Sequence, residues 1–194
     1  MNELVLQPNE GLIRREADRA VWALVVDNGF DCAEIHDIGR SLAVARAAGT
    51  GRIVLTGGVV TPGSEPDSIA AAFARWAPHG KAELENRLRA WERACAQAGI
   101  ELLIWPRAGT LVSDIPGLLN IARKMETVGV VLDPEALLPS GFAMGRDDLN
   151  TRLQQVLELG AVRAVVWGVE ASPSAAELQE RARALGKPLI RVGV

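Results

Sequence analysis

Two hydrophobic rhythms alternate along this chain. Stretches with apolar residues at three- and four-residue spacing predict amphipathic helices, and the short aliphatic or β-branched runs that follow them predict strands. The first helical stretch is 14–28, with Ala17, Ala20, Val21, Leu24 and Val25 on one face and Asn28-Gly29 as its C-terminal stop. A short strand follows at 32–36. Helix 38–48, closed by Gly49, precedes a strand at 52–56. A long helix over 81–98 ends at Gly99 and feeds a strand at 100–105. The unit recurs as helix 115–127 with strand 128–133, then helix 147–159 with strand 162–167. Ser174-Ala-Ala-Glu177 has the spacing of a capping box and opens a helix to Gly186, before a last strand at 188–192. Residues 4–7 are a candidate strand at the start.

This gives about seven strands and about six helices. The strands are apolar without alternation, as suits parallel strands covered on both sides. Right-handed crossovers between them leave two closures open, a barrel or a doubly wound sheet. A full eight-unit barrel takes about 250 residues, so a barrel of 194 residues would be a shortened one. No linker divides the chain, and 1–194 reads as a single domain. The irregular stretch 57–80 holds three prolines and four glycines, and loops of that length inside compact domains are often functional.

Composition and charge narrow the setting. Hydrophobic residues make up 48% and charged residues 23%, ordinary for a globular protein. The net charge is −3 with scattered basic residues, which predicts neither a nucleic-acid partner nor an anionic membrane surface. No apolar run approaches the roughly 20 residues that cross a bilayer. The N-terminus lacks the basic start and apolar run of a signal peptide. Cys32 and Cys95 stand in no metal-ligand spacing and suit a reducing cytoplasm, with a disulfide between them left open. The expectation is a cytoplasmic protein.

Specific phrases then match a family. VVDNGFDCAEIH (25–36) resembles the segment that closes the first helix and forms the second strand in xylose-isomerase-like TIM barrels. That group includes sugar phosphate isomerases and epimerases and metal-dependent abasic-site endonucleases. Its GFdgvE pattern is matched by Gly29, Phe30, Asp31 and Glu34. ERACAQAGIELLIWPRAG (92–109) is similar to the family's long helix and fourth strand, and VGVVLDPEALLPSG (128–141) to its fifth. Over roughly 14–170 the resemblance implies a (β/α) TIM-like barrel with about seven parallel strands. It also implies a divalent metal held by a glutamate ending the fourth strand and by an aspartate and a histidine after the fifth. Here Trp105 stands at the glutamate position, Asp133 is kept, and Ala136 replaces the histidine. A hard divalent ion wants several oxygen or imidazole ligands. No cofactor is therefore assigned, and Mn, Zn or Mg would need a rearranged site that includes Asp133 and Glu170.

Parallel barrels and open sheets both place chemistry at the C-terminal ends of their strands. Reading those ends gives Glu34, His36, Asp37, Thr56, Trp105, Arg107, Asp133, Glu135, Trp167 and Glu170. Glu34 and Asp133 could act as acid and base from separate strands; satisfied core or loop carboxylates are the plainer reading. His36 shares a strand face with Glu34 and is one of two histidines; imidazole in general titrates near neutral pH, although strand-end polar groups also simply face solvent. Trp105 and Trp167 could floor a ligand site or fill the space left by the missing metal ligands. Arg107 could hold a carboxylate or phosphate with its donor fork, or form an exposed salt bridge. TGGVVTPG (56–63) lacks both GxGxxG spacing and a helix opening at once behind it, so no nucleotide site is read there.

By resemblance the first functional reading is a sugar phosphate isomerase or epimerase moving a proton on a small carbohydrate-type substrate. Glu34, His36 and Asp133 would be catalytic, with Trp105, Arg107, Trp167 and Glu170 binding substrate. A second reading is a barrel that has lost the metal site and serves as a ligand-binding or assembly module. A third is a lyase or dehydratase on the same scaffold. An abasic-site nuclease ranks far below, because metal ligands and a basic surface are both missing. The missing eighth strand would leave an edge or apolar gap for a second copy to cover, which predicts a homodimer. Size-exclusion chromatography with light scattering should then give twice the 20.7 kDa chain mass at micromolar concentration, and a monomer there removes the idea.

Overall fold

The structure is a computed structural model that describes residues 10–15, 21–27, 29, 37–57, 77–107, 110, 112, 115–137, 146–166 and 173–192. Its strands are β1 (Glu10–Arg15), β2 (Val21–Asp27), β3 (Arg52–Thr56), β4 (Glu101–Trp105), β5 (Gly129–Leu132), β6 (Val162–Val166) and β7 (Leu189–Val192). The described helices are α1 (Ile38–Ala47), α2 (Pro78–Ala98), α3 (Ile115–Lys124), α4 (Pro134–Leu137), α5 (Arg146–Leu157) and α6 (Pro173–Ala184). The strands hydrogen-bond in sequence order and close into a barrel. From β2 to β7 every neighbouring pair is parallel, as expected for a shortened (β/α) barrel. Among the described residues no helix is long and apolar enough to cross a membrane.

The chain departs from expectation at its start. No helix covers 14–28: β1 and β2 pair antiparallel there, with Leu12 opposite Leu24 and a register shift between Ile13 and Arg14. The ladder therefore has six parallel strands and one antiparallel strand, not seven parallel ones, because β1 also runs antiparallel to β7. The physical reason lies in VWALVVD. Trp22, Ala23, Leu24, Val25 and Val26 are all buried, so the run has no polar face. A run buried all round fits either helix or central strand by periodicity, and its valines favour the strand. The strands expected at 4–7 and 32–36 lie outside the described residues, so the agreement on seven comes from a different set. Gly29 follows a strand and is not a helix stop. Gly29 sits under β3, where an added Cβ would come within 2.7 Å of Leu55 Cδ2. Its carbonyl accepts the Trp91 indole N–H at 2.6 Å.

Elsewhere the periodicities hold to within a few residues, the usual uncertainty of element ends. Leu84, Leu88, Trp91 and Cys95 recur at four- and three-residue spacing and form the buried stripe of α2. Asp37 caps α1 by accepting the Arg40 backbone N–H at 3.0 Å. Helix α6 starts at Pro173, one residue before the expected capping serine. Proline suits a first helical position because the N–H it lacks would have no helical partner.

Alternation along each strand sorts the core into two layers. Ala23, Val25, Val54, Leu103, Val131 and Ala164 fill the barrel. Leu24, Val26, Ile53, Leu55, Leu102 and Ile104 face the helices. The interior is narrow. At Gly129, in register with Leu103, a Cβ would collide with Leu103 Cδ2 and come within 2.7 Å of Arg163 Cγ. Val54, Leu103, Val131 and Ala164 have no exposed surface, so the barrel is packed and is not a pore.

A polar plug closes the end where the parallel strands begin. Glu101 accepts Arg52 Nε at 3.0 Å on one oxygen and Arg163 Nε at 2.9 Å on the other. The Arg52 guanidinium lies 5.0 Å from the Trp22 ring centroid. These half-exposed ion pairs add little stability singly, and their main effect is to fill the opening.

The β1–β7 ladder pairs the edge on which the expected homodimer rested, with Ile13 opposite Val192. A second copy would have to use a side-chain surface instead.

Cys95 is a buried free thiol, and burial pushes its pKa up from 9.0 to about 12. No disulfide joins it to Cys32. In a Cys32→Ala background at neutral pH, a disulfide reagent should label Cys95 only as the protein unfolds, at the unfolding rate. Prompt labelling of the native protein would show that the α2 stripe is not packed as described.

Candidate functional site

The parallel strands all end on one side, and their register assembles the site. Asp27 at the end of β2 pairs with Thr56 at the end of β3, which pairs with Trp105 at the end of β4. Each lies two residues beyond an interior residue (Val25, Val54 and Leu103), so all three share the inward face. Asp133 directly follows β5, two residues beyond interior Val131.

Local sequence then fixes Asp133. In Asp-Pro-Glu-Ala the aspartate stands at the capping position of α4 and Pro134 is its first helical residue. The Ala136 backbone N–H donates to Asp133 Oδ1 at 3.2 Å. From the neighbouring strand the Trp105 indole N–H donates to Oδ2, also at 3.2 Å. Both partners are buried, with Trp105 7% and Asp133 8% exposed. A carboxylate in such a place needs donors, because desolvating an unpaired charge is costly. Two N–H groups from different elements also fix its orientation.

Arg107 extends the cluster outward. It is exposed, and its guanidinium lies 5.3 Å from the Trp105 ring centroid, within cation–π range. The backbone beneath it is pinned: Arg107 N–H donates to Val112 O at 3.1 Å, and the Thr110 hydroxyl donates to Arg107 O at 2.7 Å. Thr56 contrasts with these groups. It is 1% exposed, and its hydroxyl has no hydrogen-bond partner among the described residues.

Of the residues expected from sequence, the structure brings Trp105, Arg107 and Asp133 together. Glu34, His36, Trp167 and Glu170 lie outside the described residues. Asp37 serves as the N-cap of α1. Asp27 was missed because its segment read as helix. The available signal was the parallel between VVD (25–27) and VLD (131–133), each an apolar run ending in aspartate.

A divalent ion does not fit the donors described. Trp105 presents an N–H where a carboxylate would be needed, and position 136 contributes only its backbone N–H. Among the described residues no three His, Cys, Asp or Glu side chains come together as a metal group. A cavity of about 660 Å³ lies away from the mouth, between α3 and α5, and is lined by residues that include Leu119, Arg123, Arg152 and Leu159. It shares no residue with the strand ends.

No protein-family model matches the sequence, and no curated protein matches it significantly. Among solved structures, the barrel is similar to the apo form of 3-keto-D-glucoside 4-epimerase YcjR from E. coli. The TM-score is 0.61 at 14% identity, over 92% of this chain and 73% of that one. It is likewise similar to the probable 3-DHS dehydratase AsbF, involved in petrobactin synthesis, from Bacillus anthracis. There the TM-score is 0.61 at 12% identity, over 90% and 70% of the two chains. Protein SMc04130 from Sinorhizobium meliloti gives 0.54 at 18% identity, with 80% of this chain spanning 59% of that one. The fold is thus a TIM-barrel-like α/β barrel, shared with these solved structures.

The Trp105–Asp133 hydrogen bond has a measurable consequence. Trp105→Phe and Asp133→Asn should each destabilise the protein by about 2 kcal/mol in urea denaturation, the range for a buried bond to a charged group. The double variant should lose less than the sum, since both changes remove one interaction. Full additivity would mean that the two side chains do not act as a pair.

Proposed function

We propose that this chain is an enzyme of the sugar isomerase or epimerase kind, moving a proton on a small polyhydroxylated substrate at the open end of the barrel. The observation that carries the reading is a pair of carboxylates in unlike surroundings on the inward side of two strand ends. Asp133 is buried and held by two N–H donors, whereas Asp27 is only half-buried. Proton transfer next to a carbonyl needs one group to take the proton and another to hold the substrate oxygen chemistry in place.

In this scheme Asp27 accepts the proton from the carbon beside the substrate carbonyl, leaving an enediolate, and returns it to complete the rearrangement. In an isomerisation the proton returns to the neighbouring carbon while the hydroxyl proton passes from one enediolate oxygen to the other, so atoms and charge balance without an added oxidant or reductant. Asp133, fixed by Trp105 and Ala136, accepts a hydrogen bond from a substrate hydroxyl. Arg107, stacked on Trp105, places a positive charge where the developing oxyanion or a substrate phosphate would lie. Isomerisation, epimerisation beside a carbonyl and elimination of water share this first step. The likeness to both an epimerase and a dehydratase is therefore compatible with one site chemistry.

A specific observation favours a second reading. Both Asp133 oxygens are already engaged within the protein, as in a carboxylate that organises a binding pocket without reacting.

Deuterium wash-in separates the two. With D-fructose, D-xylulose and their phosphates in D2O, the wild type should exchange a carbon-bound proton, seen by NMR. Asp27→Asn should slow that exchange by about 100-fold or more. Binding of a panel member without any exchange would sink the enzymatic reading and leave the binding module. Exchange unaffected by Asp27→Asn would remove that residue from the mechanism.

A further inference from the structure

The two buried threonines flanking β3 are treated in opposite ways by this fold. Thr50, at the closed end, is fully engaged: its hydroxyl donates to Trp22 O at 2.7 Å and accepts the Arg52 backbone N–H at 3.3 Å. Thr56, at the open end, is more deeply buried, 1% exposed against 6%, yet its hydroxyl has no partner among the described residues. An unpaired buried hydroxyl is costly, and valine would fill the same space without it. Valine is what β3 carries two residues earlier, at inward-facing Val54.

We propose that the Thr56 hydroxyl is a specificity group, bonding a hydroxyl of the substrate between Asp27 and Trp105. The inference rests on the mouth being a carbohydrate site and names one contact within it. A threonine hydroxyl both donates and accepts, as a sugar hydroxyl does, so the two can pair in either sense. Asp27 lies directly beside Thr56 in the ladder. Neighbouring strands are about 4.8 Å apart, close enough for both groups to reach one small ligand. An ionised aspartate only accepts hydrogen bonds, whereas threonine does both, so together they suit two hydroxyls of one polyol. Trp105 lies beside Thr56 on its other side in the ladder. A site that supplies a buried polar partner penalises analogues that lack the matching hydroxyl, because the protein group is then left unpaired again. Thr56 thus discriminates by hydroxyl position as well as by size.

The test compares Thr56→Val and Thr56→Ser with the wild type. Without ligand, Thr56→Val should melt at or above the wild-type temperature, by up to about 4 °C, because it removes an unpaired hydroxyl and keeps the shape. A hydroxyl with a structural bond would give a fall instead, and that result overturns the proposal. With D-fructose, D-xylulose and their phosphates titrated by calorimetry, Thr56→Val should weaken binding about ten-fold or more, and Thr56→Ser should restore most of it. Binding by the valine variant equal to wild type also overturns the proposal. If no panel member binds the wild type, the carbohydrate reading of the mouth fails. The direction of the melting shift still decides whether Thr56 has a partner within the protein.

Discussion

Strand β1 pairs antiparallel with β2 on one side and β7 on the other, and in doing so removes both edges of the six-stranded parallel sheet. Either edge alone would present a row of unpaired N–H and C=O groups. Closure also fixes the radius of the ring, and the radius decides what fits inside. Ala23 and Ala164 are small, and Gly129 leaves room for Leu103 and Arg163. The β1–β7 contact joins the two most distant described parts of the chain, Ile13 and Val192. The register of every strand end at the mouth is held within that ring. Asp27, Thr56 and Trp105 are neighbours because the ladder makes them so.

The two ends of the barrel use polar residues differently. At the closed end Arg52, Glu101 and Arg163 pair with one another, and Thr50 is satisfied by backbone. At the open end one carboxylate is clamped by an indole and a backbone N–H, one cation lies exposed over an aromatic ring, and one hydroxyl is unpaired. Polar groups held in fixed directions at a strand-end opening are what electrostatic preorganisation requires. The ion-paired groups at the other end only close it.

How much of this was legible in the sequence depends on where burial was one-sided. Helix α2 carries its apolar residues on one stripe, so its period was readable, and so were the strands that follow glycines and helices. Residues 22–26 are buried on all sides, and periodicity loses its meaning there. Reading that stretch as helix hid Asp27 inside an element it does not belong to. The antiparallel sense of β1 was not readable either, because direction in a sheet is set by pairing between distant segments. Trp105, Arg107 and Asp133 were accessible as strand-end residues. Their joining into one cluster was not, since Asp133 meets Trp105 only through the β4–β5 neighbourhood. Thr56 was visible as a strand end, but its missing partner is a property of the folded environment.

The plug of Trp22, Arg52, Glu101 and Arg163, with the packed layer above it, makes the barrel a cup rather than a tube. The packed interior bars passage through the barrel, so whatever reaches its rim comes and goes on the strand-end side. Arrival and departure then exclude each other: a molecule still seated at the rim blocks its successor. For any conversion carried out there, the outgoing molecule is by geometry a competitor of the incoming one.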